Sequence, residues 1–251
     1  MAIVRPLRTR FAGDIVTEFL PPRRPSRKVV ILCKGMPGSP NVTELLVRFS
    51  RLGYWAFGPR YRGSWESGGS FLRRSPHEDI LDIIHQLPRG FKGVGYTAPK
   101  TWRVKPSAVH LVAGSFGGPA ALLASTDPAV TSVVAISSVV DWRAPSKKEP
   151  FPVFKRMTQS GFGGAYRFTD RDWAKLATGR FYNPVLHARL IDGRKIFLIH
   201  TKDDDAVRWN EVAQFAKQTG AKFLLLPRGG HLSLWGVPDT RLWPKIRAFL
   251  K

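Results

Sequence analysis

The stretch Val109-His110-Leu111-Val112-Ala113-Gly114-Ser115-Phe116-Gly117-Gly118-Pro119-Ala120-Ala121-Leu122-Leu123-Ala124 decides how the rest of the chain is read. Val109 to Ala113 is an apolar strand, Ser115 is one hydroxyl among small residues, and an Ala/Leu-rich helix follows to about Ser125. A strand, a sharp turn and a helix suit a nucleophile. A serine at the apex is lifted clear of the sheet on strained backbone, at a helix N-terminus that favours developing negative charge. Its neighbours must be small, and Ala113, Gly114, Gly117 and Gly118 are. Gly-Ser also marks ordinary turns, so the reading depends on an acid and a histidine following in a matching setting.

A chain of 251 residues with 43% hydrophobic residues has enough apolar material for one α/β domain spanning 1–251, with about 143–180 as a lid or insertion. The single cysteine, Cys33, closes an apolar run and reads as a core residue; no Cys/His cluster has zinc spacing, and no metal or cofactor is expected. No apolar run approaches the ~20 residues of a membrane span, and the N-terminus lacks a signal-peptide pattern, so the expectation is a cytoplasmic protein with no membrane partner. Lys and Arg number 40 against 18 Asp and Glu, a net charge of +22. Such a field attracts polyanions, but the charges are spread along the chain without a basic tail or an RNA-reading aromatic motif.

Ala2 to Leu20 suggests two strands joined at Ala12-Gly13-Asp14, an antiparallel entry to a larger sheet. Val29 to Cys33 reads as a strand buried on both faces, followed by the Gly/Pro-fixed loop Lys34-Gly35-Met36-Pro37-Gly38-Ser39-Pro40 and a helix over Asn41–Arg51. Such a loop at a central strand end can aim backbone N–H groups at an oxyanion. Tyr54 to Phe57 is the next strand, and Ser75 to Leu87 is a helix with Ser75 as cap and Glu78 three residues on. His77 and His85 read as surface or capping residues. Pro88 to Pro106 reads as a basic loop whose Phe91, Tyr96 and Trp102 either stack on a polyanion or tuck against the body. Strands over Val130–Ile136, Lys195–His200 and Phe223–Leu226, and helices over Val207–Thr219 and about Thr240–Leu250, complete an alternation that implies a mostly parallel sheet covered on both faces.

After the strand ending at His200 comes Asp203-Asp204-Asp205, and after the next strand comes Gly229-Gly230-His231. An acid and a histidine at successive strand ends, both after a serine turn, give the order Ser, Asp, His. Each alone reads as a helix cap or a surface histidine, and the residues themselves leave the three aspartates open.

These segments resemble the α/β-hydrolase superfamily, and within it the catalytic domain of the prolyl oligopeptidase family, over most of the chain from about Val29 onward. Lys34-Gly35-Met36-Pro37-Gly38 matches three of five positions of that family's His-Gly-Gly-Pro-Gly oxyanion loop. Tyr61-Arg62-Gly63 resembles its Arg-Gly loop, and Val140-Asp141-Trp142 and Asn183-Pro184 resemble segments flanking its lid. The family's His-Gly-x-x-Asp-x-x-Val falls on His200, Asp204 and Val207, which selects Asp204 as the acid. Ala113, Lys34 and Thr201 depart from the family pattern without removing a triad atom, and the chain has no room for the propeller that gates the larger members.

The resemblance implies catalysis by Ser115, Asp204 and His231, with backbone N–H groups of Phe116 and Met36 as the oxyanion hole. Lys34, Arg62 and Trp142 are the candidate substrate-contacting residues, with Lys34 expected to place a cation near the oxyanion loop. The expected substrate is a small-molecule ester or a short peptide, cleaved through an acyl-enzyme. The alternative from another class is a basic hydrolase-fold protein that binds nucleic acid or an acidic partner without catalysis.

Overall fold

Eight strands form one sheet in the order β1-β2-β4-β3-β7-β8-β9-β10. They are β1 (Leu7–Phe11), β2 (Ile15–Leu20), β3 (Lys28–Cys33), β4 (Tyr54–Pro59), β7 (Ala108–Gly114), β8 (Ser132–Ile136), β9 (Ile196–Thr201) and β10 (Lys222–Leu226). The short strands β5 (Phe91–Gly93) and β6 (Lys100–Trp102) pair separately. The helices are α1 (Thr43–Arg51), α2 (Pro76–Gln86), α3 (Gly117–Ala124), α4 (Phe151–Ser160), α5 (Asp170–Ala177), α6 (Trp209–Thr219) and α7 (Trp243–Phe249). The computed structural model describes residues 5–95, 98–144, 146 and 148–251, so the expected strand start at Ala2, the aromatic Tyr96 and the basic residue Lys147 lie outside it. No helix among the described residues is long and apolar enough to cross a membrane.

The period of two along a strand decides the layering. In β3, Val29, Ile31 and Cys33 face one cluster while Val30 and Leu32 face the other. The first cluster takes in α2 through Ile80, Ile83 and Ile84, α3 through Ala120–Ala124, and α6 through Val212 and Phe215. The second takes in α1 through Leu45, Leu46 and Phe49, and α7 through Ile246. Both faces are therefore covered, as the continuous apolar runs of β3, β7, β8 and β9 require. All eight residues of α3 are buried, which explains an Ala/Leu composition without a polar face.

β1, β2 and β4 pair antiparallel and the rest pair parallel, so the chain enters through an antiparallel edge as expected. β3 has β4 on one side and β7 on the other, the switch point at which an open parallel sheet gathers its ligand site. Register does the rest. Cys33 pairs with Ala113, which sets the loop after β3 beside the turn after β7. Leu226 pairs with Thr201, which sets the loops after β9 and β10 side by side.

Several expectations change, the starts of α1 (Thr43 for Asn41) and α7 (Trp243 for Thr240) among them. Residues 88–106 are not a plain loop: Phe91 pairs with Trp102 across the β5–β6 hairpin. Both rings pack on the body, Phe91 onto Phe11 and Phe19 and Trp102 onto Phe19 and Trp55, which is the tucked arrangement of the two expected. α6 starts at Trp209 rather than Val207, because the Ala206 and Val207 N–H groups are turned to the Asp204 carboxylate. β8 starts at Ser132, two residues later than read. The Ser75 cap of α2 holds as read, with Glu78 accepting the Ser75 N–H at 3.1 Å. His77 bonds the Ser75 hydroxyl and His85 pairs with Asp127. Cys33 is fully buried, and burial pushes its thiol far above the ordinary value.

Candidate active site

Ser115 sits between the end of β7 and the start of α3 with φ of 52°, in the left-handed region that side-chain-bearing residues seldom occupy. The strain is held by the backbone on both sides. The Ser115 N–H donates to Ile136 O at 3.1 Å, and its carbonyl accepts from Gly118 N at 2.9 Å and Val139 N at 3.3 Å. The flanking glycines are there for space. A Cβ on Gly117 would lie 2.1 Å from the Cys33 carbonyl oxygen, and one on Gly114 would lie 2.5 Å from Ser233 Oγ and Leu234 N.

Asp204 and His231 meet across the β9 and β10 loops, with His231 Nδ1 at 2.9 Å from Asp204 Oδ2. A carboxylate only accepts, so Nδ1 carries the proton and Nε2 is left as an acceptor. The other oxygen, Oδ1, accepts the N–H groups of Ala206 at 3.0 Å and Val207 at 2.9 Å. Burial raises the Asp204 pKa, but the His231 hydrogen bond and charge, the Val207 N–H and His200 together hold it below the ordinary carboxylate value. His200, fully buried behind the carboxylate, gives Nε2 to the Val207 carbonyl at 3.0 Å and is pushed below the ordinary imidazole value by burial.

The His231 loop is pinned at further points that the sequence reading missed. Asp203 accepts the Gly229 and Gly230 N–H groups at 3.1 and 2.9 Å, Thr201 Oγ1 donates to Gly230 O at 2.7 Å, and Ser137 Oγ accepts Leu232 N–H at 3.2 Å. Ser137 has φ of 47°, which turns it toward that loop. The run of three aspartates was the available signal: Asp204 orients the ring while its neighbour Asp203 holds the loop.

Met36 lines both cavities at Ser115 and Phe116 one of them. The loop after β3 is braced by side chains: Lys34 Nζ donates to Pro40 O at 3.1 Å, Tyr61 Oη to Lys34 O at 3.2 Å, and Gly38 N–H to Tyr166 Oη at 3.1 Å. Lys34 lines one cavity at Ser115, with its ammonium turned to the Pro40 carbonyl. Its burial, aided by the nearby Arg60 charge, lowers its pKa from the ordinary 10.5 to about 7.

Trp142 walls one cavity at Ser115, with its Nε1 donating to Tyr182 O at 2.8 Å. Arg62 lies elsewhere. Its guanidinium is held by Asp14 at 2.8 Å, Asp82 at 2.8 Å and Asp79 at 2.5 Å, and it lines neither cavity at Ser115. It ties the β2 entry to α2, a structural role that sequence spacing did not reveal.

Residues 30–242 match the model of the Alpha/beta hydrolase family. No curated protein matches the sequence. Among solved structures, an esterase of Pyrococcus furiosus superposes with a TM-score of 0.70 at 16% identity, over 98% of this chain and 90% of that one. Est1E of Butyrivibrio proteoclasticus, solved with ferulic acid bound, gives 0.65 at 15% identity over 97% and 96%. An acylaminoacyl peptidase of Pyrococcus horikoshii gives 0.59 at 15% identity, over 94% of this chain but 39% of that one. At these identities the likeness is one of fold: a mostly parallel sheet between helices.

Proposed function

The chain belongs to the alpha/beta hydrolase family, and on that premise we propose that it is a serine hydrolase acting through Ser115, His231 and Asp204. The observation that carries the reading is the Asp204–His231 hydrogen bond, with His231 and the strained Ser115 on the wall of one cavity. Ser115 Oγ attacks an ester or amide carbonyl carbon as its proton passes to His231 Nε2. Asp204 fixes the ring's tautomer and stabilises the imidazolium. The Phe116 and Met36 N–H groups receive the oxyanion, each contributing about 3 kcal/mol. His231 then protonates the leaving oxygen or nitrogen, the acyl-enzyme forms, and water releases the acid by the same steps in reverse order. The lowered Asp204 pKa supports this role, since the acid stays ionised through the neutral range.

The prolyl oligopeptidase-type resemblance favours peptide or acylaminoacyl substrates, and the esterase neighbours favour carboxylic esters. Assaying the purified protein on p-nitrophenyl esters and on aminoacyl anilides, beside Ser115→Ala, separates the two. A fluorophosphonate probe is expected to label wild type and not Ser115→Ala; wild type that neither labels nor outpaces the variant removes the reading. A second reading rests on another surface. Arg8, Arg10, Arg89 and Lys92 line one cleft, opposed among its described lining residues by Glu66 alone. Nucleic acid or an acidic partner bound there dissociates as salt rises, and that binding survives Ser115→Ala.

A further inference from the structure

Ser115 stands between two unequal chambers. The inner one has a volume of ≈ 60 Å³ and is walled by Val139, Val140, Trp142, Phe151, Phe154 and Val207; its charged lining residues, Asp141, Glu149, Arg208 and Glu211, keep contact with solvent. The space is small because the rings pack on one another: Trp142 lies 5.9 Å from Phe116, 6.2 Å from Phe151 and 6.4 Å from Phe154 between centroids. The outer chamber has ≈ 290 Å³ and is bounded beside His231 by the apolar Val42, Leu45, Met157 and Trp235 and by the polar Lys34, Ser39, Asn41, Glu149 and Ser233. Trp235 is 68% exposed and Met157 40%, an apolar rim open to solvent.

His231 lines the outer chamber and not the inner one. That asymmetry orients the substrate. The histidine must give its proton to the departing oxygen, so the leaving group occupies the chamber His231 lines, and the acyl group occupies the other.

Resting on the serine hydrolase reading above, we infer that this site takes esters of short, apolar carboxylic acids with a larger alcohol that carries an aromatic ring. The inner volume holds about four to six water-sized groups, which matches a chain of roughly two to six carbons. The outer volume lies near the lower end of drug-sized pockets, and the Trp235 face offers an aromatic platform for the alcohol. In the first step the Ser115 Oγ–acyl bond forms and the acyl–alkoxy bond breaks, the Ser115 proton leaving on the alcohol through His231. Water then restores the serine and frees the short acid.

Two ester series test the assignment. With p-nitrophenol as the constant leaving group, kcat/KM is expected to fall about tenfold or more once the acyl chain exceeds six carbons, and Phe151→Ala is expected to move the optimum to longer chains. With acetate constant, benzyl and naphthylmethyl acetates are expected to exceed methyl acetate, whose alcohol is of similar acidity, and the exposed-site change Trp235→Ala is expected to erase most of that advantage. A wild-type preference for decanoate over butyrate overturns the inference, as does a benzyl advantage that Trp235→Ala leaves intact. Fluorophosphonate labelling of Ser115 without turnover of any ester overturns the substrate class alone. Absence of both labelling and turnover removes the serine hydrolase reading beneath it.

Discussion

The floor of the candidate site is fixed by hydrogen bonds to its backbone, whereas its roof is fixed by packed rings. Beneath the substrate, Ser115 is held by strand register, carbonyl hydrogen bonds and glycines with no room for a methyl group, while the backbone of the His231 loop is gripped by the Asp203 carboxylate and that of the loop after β3 by Tyr61 and Tyr166. Above it, α4 is held through Phe154 on Trp173 and Trp142, Phe151 on Trp142, and an exposed ion pair from Lys155 to Asp170. Backbone constraints leave little to adjust, while packed rings can be exchanged for others of similar volume at modest cost. The floor is thus the part that tolerates least change and the roof the part free to set selectivity.

The strongest test of that division is Asp204→Asn. It preserves the shape of the floor but removes the charge that fixes the His231 tautomer, and kcat is expected to drop by about 10⁴-fold with the fold retained by circular dichroism. Next, a single added methyl group should be costly in the floor. Gly117→Ala, whose Cβ meets the Cys33 carbonyl oxygen at 2.1 Å, is expected to lower unfolding free energy by about 3 kcal/mol or more in urea titration. If it unfolds like wild type, the floor is more pliable than its contacts imply.

Lys34 sharpens the comparison through pH. Its pKa is about 7 in the folded protein against an ordinary 10.5, so between those values the unfolded chain carries the additional proton and stability rises with pH. Below pH 7 both states are protonated and the contribution is flat. Wild type is therefore expected to gain on Lys34→Met by about 1 kcal/mol per pH unit from pH 7 toward 10, read as the difference between their urea midpoints. An equal pH dependence in the two proteins places the ammonium in solvent instead. Asp203→Asn, which weakens the grip on Gly229 and Gly230, is expected to lower kcat on the order of tenfold with KM little changed. The smallest effect belongs to the roof: Met157→Ala, at a 40% exposed position, is expected to change stability by less than about 0.5 kcal/mol.

The same division explains what the sequence disclosed. The strand and helix periods, the small residues around Ser115 and the order Ser, Asp, His are local or additive signals, and they carry the sheet, both layers and the residues of the floor. Lys34 and Arg62 were legible as cations but not as buried ones: packing around Lys34 leaves no local pattern, and the carboxylates that claim Arg62, Asp14 and Asp79, lie 48 and 17 residues away. The inward turn of Phe91 and Trp102 depended on a hairpin whose strands are three residues each, too short to show a period. The roof left the least trace. Its aromatics are spaced as in any amphipathic helix, and nothing in that spacing says that Phe151 and Phe154 would close down one chamber while Met157 borders another.

That arrangement has an evolutionary consequence. Phe151, Phe154 and Met157 occupy successive turns of one helix, so a tilt of α4 that widens the inner chamber narrows the outer one. Under the proposed assignment, selectivity toward the two halves of a substrate is then inherited as a linked pair. Lineages descending from this protein would trade one against the other along a single axis, until an insertion before or after α4 uncouples them.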